Sequence, residues 1–74
     1  MEGELQRIVG ANIRQLRKRR GMSQEQFADT VGVHRTYLGG VERGERNLSL
    51  QSIERIAEGA EVSPFELLHR PGPD

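Results

Sequence analysis

The stretch MSQEQFADTVGVHRTYLGGVERGERN, Met22 to Asn47, holds two short helical patterns separated by little more than Gly-Val-His. Ser23 is a good N-cap, and Gln26 three positions later completes a capping-box pattern. Phe27, Ala28 and Val31 then share one side, and Gly32 stands where a left-handed C-terminal cap would stop the helix. The second pattern begins at Arg35, carries Leu38 and Val41 inward, and ends before Gly44. The spacing predicts helices over about 23–31 and 35–43. Their connection is too tight for an antiparallel hairpin with long arms, but it suits two short helices crossing at a large angle, as in a helix-turn-helix.

Gly39 and Gly40 fall inside the second of these helices, where each costs roughly 1 kcal/mol relative to alanine. A projection at about 100° per residue puts Arg35, Thr36, Gly39 and Arg43 opposite Leu38 and Val41, with Tyr37 at the edge and Gly40 on the flank. The glycines are therefore expected among polar groups on an exposed face. There they would let the helix press into a groove, so that Arg35 and Thr36 can reach its floor. Arginine pairs bidentately with guanine, and threonine offers a hydroxyl and a methyl suited to thymine. The alternatives are close packing of another helix, or glycines that merely weaken an exposed one.

Outside this stretch, helical period continues in both directions. Leu5, Val9, Ile13 and Leu16 line one face of a first helix ending near Gly21, with Arg7, Arg14 and Lys18 on the other. Ser49 caps a fourth helix, in which Leu50, Ile53, Ile56 and Ala57 keep period. Ser63, Pro64 and Glu66 supply N-cap, first-turn proline and capping-box acid for a short fifth helix carrying Phe65 and Leu68 inward. Nothing reads as a strand. The expected architecture is all-α, a compact five-helix bundle. Residues 1–70 form one domain, and the tail RPGPD should be disordered or an exposed cap, with 71–74 flexible.

Size and composition narrow the function. Seventy-four residues give a core large enough for stability but too small to enclose a substrate-sized cavity as well, which argues against an enzyme. Without cysteine there is no disulfide, thiol nucleophile or cysteine-based zinc site. His34 and His69 are far apart and lack helical carboxylate partners, so no metal or other cofactor is expected. No apolar run approaches the ~20 residues that span a bilayer, and no signal-peptide core is present; a cytoplasmic, nucleoid-associated protein without a membrane partner is the expectation. Net charge is zero, but it is unevenly placed: residues 1–46 hold nine Lys/Arg against six Asp/Glu, and residues 47–74 two against five. The front is basic and the back acidic.

Met22 to Asn47 resembles the helix-turn-helix of the phage-repressor or XRE family of transcriptional regulators. HRTYLGGVERGERN is especially similar to the controller proteins of bacterial restriction-modification systems. The similarity extends to IRQLRKRRGMSQ before it and LSLQSIERIAEGAEVSP after it. The resemblance implies a phage-repressor-like DNA-binding domain in which Arg35 and Thr36 read bases and Arg46, in the following loop, makes a second base or minor-groove contact. It places Gln24 on a phosphate and as a brace for the recognition helix, and Tyr37, Arg43, Asn47 and Ser52 on the DNA backbone. His34 departs from the small N-cap usual in the wider family, matches the controller subgroup, and could approach a phosphate. Glu45 or Glu42 would be the alternative partner for Arg46.

Arg17 and Glu42 fall, on the same resemblance, where a partly buried ion pair ties helix one to the end of helix three. The remainder of the RKRR run is then left to solvent or phosphate. Glu25 and Asp29 share a face of helix two, where activating members meet the RNA polymerase sigma factor; a solvated, dipole-stabilised acidic face is the plainer reading. One recognition helix reads only a few base pairs, so a homodimer on a pseudo-palindromic double-stranded operator is expected, its helices about 34 Å apart. Ile53, Phe65 and Leu67 are the candidate dimer contacts, Leu67 foremost because Phe65 and Leu68 are assigned to the core. The leading reading is a controller regulating its own and the endonuclease gene; a general XRE-type repressor, or an antitoxin or adaptor acting through a protein partner, are the alternatives.

Overall fold

Residues 3–72 are described by a computed structural model of the chain. Four α-helices follow one another, α1 (Glu4–Arg19), α2 (Gln24–Val31), α3 (Arg35–Glu42) and α4 (Leu50–Ala60), and a 3₁₀ turn (Pro64–Leu67) closes the series. There is no strand among the described residues. The punctuation of the sequence is realised atom by atom. Ser23 accepts from the Gln26 amide while the Gln26 side chain accepts from the Ser23 amide. Gly32 ends α2 with φ 78°, a left-handed conformation that a Cβ would strain. Ser49 and Ser63 cap the elements that follow them.

The expected fifth helix is only a 3₁₀ turn, although its capping box forms. Tighter winding changes which residues face inward: Phe65 is 76% exposed and Leu67 only 2%, with Leu68 partly buried against the core. The 3.6-residue period assumed for this segment is thereby corrected, and with it the inward place of Phe65, while Leu68 does pack inward as expected. Two helix ends also differ from expectation. Leu5 is 55% exposed at the first turn of α1, and Leu50 is exposed at the start of α4. Helix α1 itself stops at Arg19, just ahead of Gly21.

All five elements contribute to one core, in which Phe27, Ile13, Leu38 and Ile56 are the largest fully buried side chains. Two other glycines set the helix approaches. A Cβ on Gly10 of α1 would lie 2.2 Å from the Val41 carbonyl oxygen of α3, and one on Gly59 of α4 would lie 2.6 Å from the Val31 Cα of α2. Helix α1 therefore rests directly on the backbone at the end of α3, and α4 on the end of α2. Through Gly72 the tail lies on α1 as an exposed cap, the second of the two expected arrangements. Asn12, buried in α1, donates through Nδ2 to the Leu67 and His69 carbonyls (2.9 and 2.6 Å), and Gln15 donates to the Gly72 carbonyl. Arg70 pairs with Glu4 at 2.6 Å. Of the expected flexible segment, Pro73 and Asp74 lie outside the described residues.

Candidate nucleic-acid interface

The candidate site centres on α3, whose start is fixed by an unusual cap. The His34 imidazole accepts a hydrogen bond from the Thr36 amide at Nδ1 (3.1 Å). A nitrogen that accepts carries no proton, so in the neutral ring the proton sits on Nε2, which is left as a donor. The capping role of a small polar residue is thus filled by a ring that keeps one donor in hand. Immediately after it, Arg35 and Thr36 are both exposed on the first turn of α3. They line an open groove with Ser23, Gln24 and Glu25 from the start of α2 and Gly39 and Arg43 from further along α3.

The end of α3 is fixed by charge. Arg17 of α1 grips Glu42 with two parallel hydrogen bonds, Nε to Oε2 at 2.7 Å and Nη2 to Oε1 at 3.0 Å, and its Nη1 donates to the Met22 carbonyl. Gln24 adds a donor to Glu42 Oε1 at 3.1 Å. The side chains of Arg17 and Glu42 are 13% and 3% exposed, so the pair lies largely out of water. The pKa of Arg17 is raised, chiefly by its hydrogen bond to Glu42 and against the effect of burial. Three elements thus meet on one carboxylate: α1 through Arg17, α2 through Gln24, and α3 through Glu42 itself. The rest of the basic run, Lys18 to Arg20, is exposed.

Gly39 and Gly40 are buried, which corrects their expected place on a bare face. A Cβ on Gly39 would meet Arg43 Nη1 at 3.3 Å and the Gln24 amide at 3.7 to 3.9 Å; one on Gly40 would meet Arg46 Cγ at 3.0 Å and Nε at 3.1 Å. The projection placed the glycines correctly relative to Leu38, but it could not see that long polar side chains fold back over them. Arg46 lies across Gly40 with its guanidinium 5.4 Å from the centre of the Tyr37 ring, a cation–π arrangement. Neither Glu45 nor Glu42 takes it: Glu45 pairs with Arg43 at 3.0 Å and Glu42 with Arg17.

On the far side of α3, His34, Tyr37 and Ser52 line a second open groove with Gly32, Val33 and Arg55. Arg55, exposed on α4, is a positive group beside these residues that periodicity did not single out, because on its own helix it reads only as polar face. Asn47 is exposed in the loop between α3 and α4, and its side-chain oxygen accepts from Gln6 of α1 at 2.9 Å. Glu25 and Asp29 are both exposed on α2. Of the expected dimer contacts, Ile53 and Leu67 are buried in the chain's own core, so Phe65 is the one that remains on the surface. The assignment of Leu67 is corrected by the same 3₁₀ winding that exposed Phe65.

The helix-turn-helix family model matches residues 13–67, a span that includes α2, α3, α4 and the 3₁₀ turn. The chain is 41% identical over 69 residues to the control protein C.SmaI of Serratia marcescens, covering 93% of this chain and 82% of that one. It superposes with a TM-score of 0.77 on the crystal structure of the restriction-modification controller protein C.AhdI from Aeromonas hydrophila, at 44% identity over 84% of this chain and 94% of that one. A tetramer of the controller C.Esp1396I, solved in complex with its natural 35-base-pair operator, gives a TM-score of 0.78 at 41% identity, covering 88% and 90% of the two chains.

Proposed function

This chain belongs to the helix-turn-helix family, and from that footing we propose that it is a restriction-modification controller that binds a pseudo-palindromic operator as a dimer. It is a DNA-binding transcriptional regulator and not an enzyme. In the proposed action α3 enters the major groove and Arg35 and Thr36 read base edges, arginine on guanine and threonine by its methyl on thymine. The observation that carries this reading is the pairing of an exposed reading end with a locked opposite end. Arg35 and Thr36 stand free at the start of α3 while Glu42 is held from α1 and α2.

Backbone contacts complete the interface. Gln24 and Arg43 flank the reading groove on one side, with His34, Tyr37 and Ser52 on the other, so phosphates can be met on both sides of α3. The free Nε2–H of His34 suits a phosphate while Nδ1 continues to cap the helix. Asn47 meets the backbone from the following loop, and Arg46 leaves its seat on Tyr37 to make a second base or minor-groove contact. Gly39 and Gly40 serve this arrangement by giving room to the Arg43 guanidinium and the Arg46 stem. Dimerisation uses the face that carries Phe65, and it regulates the chain's own gene together with that of the endonuclease. The sigma-factor contact expected of Glu25 and Asp29 has no support in these similarities.

The test is a mobility-shift titration of the purified protein on the DNA upstream of its own gene, across a salt series, with Arg35→Ala in parallel. Wild type should bind saturably, with affinity falling steeply as salt rises because phosphate contacts release counterions. Loss of a bidentate guanine contact should cost Arg35→Ala ~1 to 3 kcal/mol on the operator and relax base preference there. Equal binding to upstream and random DNA, or an indifferent Arg35→Ala, overturns the reading.

A further inference from the structure

One contact between distant parts of the chain serves neither the core nor the reading groove. Gln6, in the first turns of α1, donates through Nε2 to the Arg46 carbonyl and, at 2.9 Å, to Asn47 Oδ1. Both protons of one primary amide are thereby spent on the loop of residues 43–49. The orientations of the two amides follow from chemistry. A backbone carbonyl can only accept, so the Gln6 nitrogen must face Arg46; the same nitrogen then requires an acceptor from Asn47. Asn47 therefore turns its oxygen to α1 and keeps Nδ2 as the free end of an exposed side chain.

The loop is pressed onto α1 at a neighbouring point as well. Gly44 has φ 74°, and a Cβ there would lie 2.7 Å from Arg7 Cγ. Fixing the Arg46 carbonyl fixes the root of the side chain that spans Gly40 and stacks on Tyr37.

We propose that Gln6 is a positioning residue for DNA recognition: its single amide locks the α3–α4 loop to α1 and turns the Asn47 Nδ2 donor toward the DNA backbone. This rests on the DNA-binding reading above. A free asparagine amide presents oxygen and nitrogen alternately, and the oxygen end repels a phosphate. Gln6 removes that alternative before DNA arrives, so less ordering remains to be done on binding.

Gln6→Glu and Gln6→Leu separate the parts of this role. A carboxylate cannot donate; it repels the Arg46 carbonyl and accepts from Asn47 Nδ2, turning the wrong end outward. Gln6→Leu only releases the loop. On the upstream DNA at one fixed salt concentration, Gln6→Leu should bind a few-fold more weakly than wild type and Gln6→Glu about tenfold or more, the scale of a lost phosphate hydrogen bond plus a reversed dipole. Circular dichroism should show helix content unchanged in both.

In an Asn47→Ala background the difference between the two variants should shrink, whereas simple repulsion of DNA by the new carboxylate would persist undiminished. Without DNA, 15N relaxation of the Arg46 and Asn47 amides should report a loop that becomes mobile in Gln6→Leu. Binding equal to wild type in both variants, an undiminished Gln6→Glu penalty in Asn47→Ala, or a loop equally rigid in Gln6→Leu overturns the positioning role. A wild type that ignores its upstream DNA overturns the functional reading and the role of Gln6 with it; binding by wild type with indifferent Gln6 variants overturns only the latter.

Discussion

On the side of α3 that faces α1, a methyl group placed on Gly10 would lie 2.2 Å from one backbone carbonyl oxygen and 3.0 Å from the next. On the outer side, a methyl placed on Gly40 would meet the stem of Arg46 at 3.0 Å. Both are tight, but the neighbours differ in kind. Backbone at the end of a helix gives way only if the helix moves, whereas an exposed arginine stem rotates into solvent. The inner side of α3 is therefore built to hold one geometry, and the outer side to let charged groups rearrange.

The difference also appears in the ion pairs. Arg17 and Glu42 are largely withdrawn from water and joined in parallel, while the side chains of Arg43 and Glu45 are 60% and 59% exposed and share one contact. Exposed pairs of the second kind contribute little. Withdrawn pairs add little net stability over an apolar substitute, yet breaking one strands its partner.

Glu42→Ala attacks the inner side hardest. It strands the Arg17 guanidinium and removes the acceptor of Gln24, so unfolding free energy should fall by ~3 to 5 kcal/mol, read from the urea midpoint. Recovery of most of that loss in Arg17→Met/Glu42→Leu would show that the stranded charge, and not the missing attraction, carries the cost. Gly10→Ala should follow, costing about 3 kcal/mol by overpacking α1 against α3, visible in the same denaturation experiment. A loss as small as that of a surface substitution would mean the two helices separate freely, and the contrast between the sides would fail.

Gly40→Ala is the smallest in stability and the sharpest in meaning. The gain in helix propensity is up to about 1 kcal/mol, and it should offset displacement of the Arg46 stem, leaving the urea midpoint unchanged or raised. Operator affinity should nevertheless fall, because the added methyl takes the space over Gly40 through which the Arg46 stem runs as it swings from Tyr37 to the DNA. Stability and binding would then move apart on the outer side and together on the inner side. The raised pKa of Arg17 brings no pH dependence into this comparison at ordinary pH. A cation whose pKa is higher in the folded chain stabilises it at all pH values below its unfolded pKa, and that share is lost only at strongly alkaline pH.

How much of this was legible depended on how local each cause is. Ser23, Gln26 and Gly32 bounded α2 correctly because a cap involves residues a few positions apart, and the same logic found Ser49 and the capping box at Ser63. The inward and outward sides of α3 followed from Leu38 and Val41. The 3₁₀ winding at Pro64–Leu67 was not legible: a capping box starts a helix but does not choose its pitch, and the choice moved Phe65 out and Leu67 in. The cover over Gly39 and Gly40 was hidden for another reason. Helical projection treats side chains as spokes, and Arg43 and Arg46 instead bend back along the surface.

The contacts that organise the candidate interface lie further beyond sequence reading. Gln6 reaches Arg46 and Asn47 across 40 and 41 residues, and Asn12 reaches Leu67 and His69 across 55 and 57. A glutamine or asparagine at the edge of an amphipathic helix gives no sign of such a partner. Gly10 is similar: within α1 it is only a weak point, and its purpose exists only once α3 lies against it.

The order of amino acids alone determined four α-helices, the caps at Ser23, Gly32 and Ser49 and the tight α2–α3 turn, since these depend on hydrogen bonds and periodicities closed within a few residues. Tertiary structure decided which small residues separate helices, which arginines are tied and which are free, and which end of Asn47 faces outward. Those outcomes depend on what the far end of the chain brings alongside, and a carboxamide or a guanidinium takes its role from the acceptor it meets.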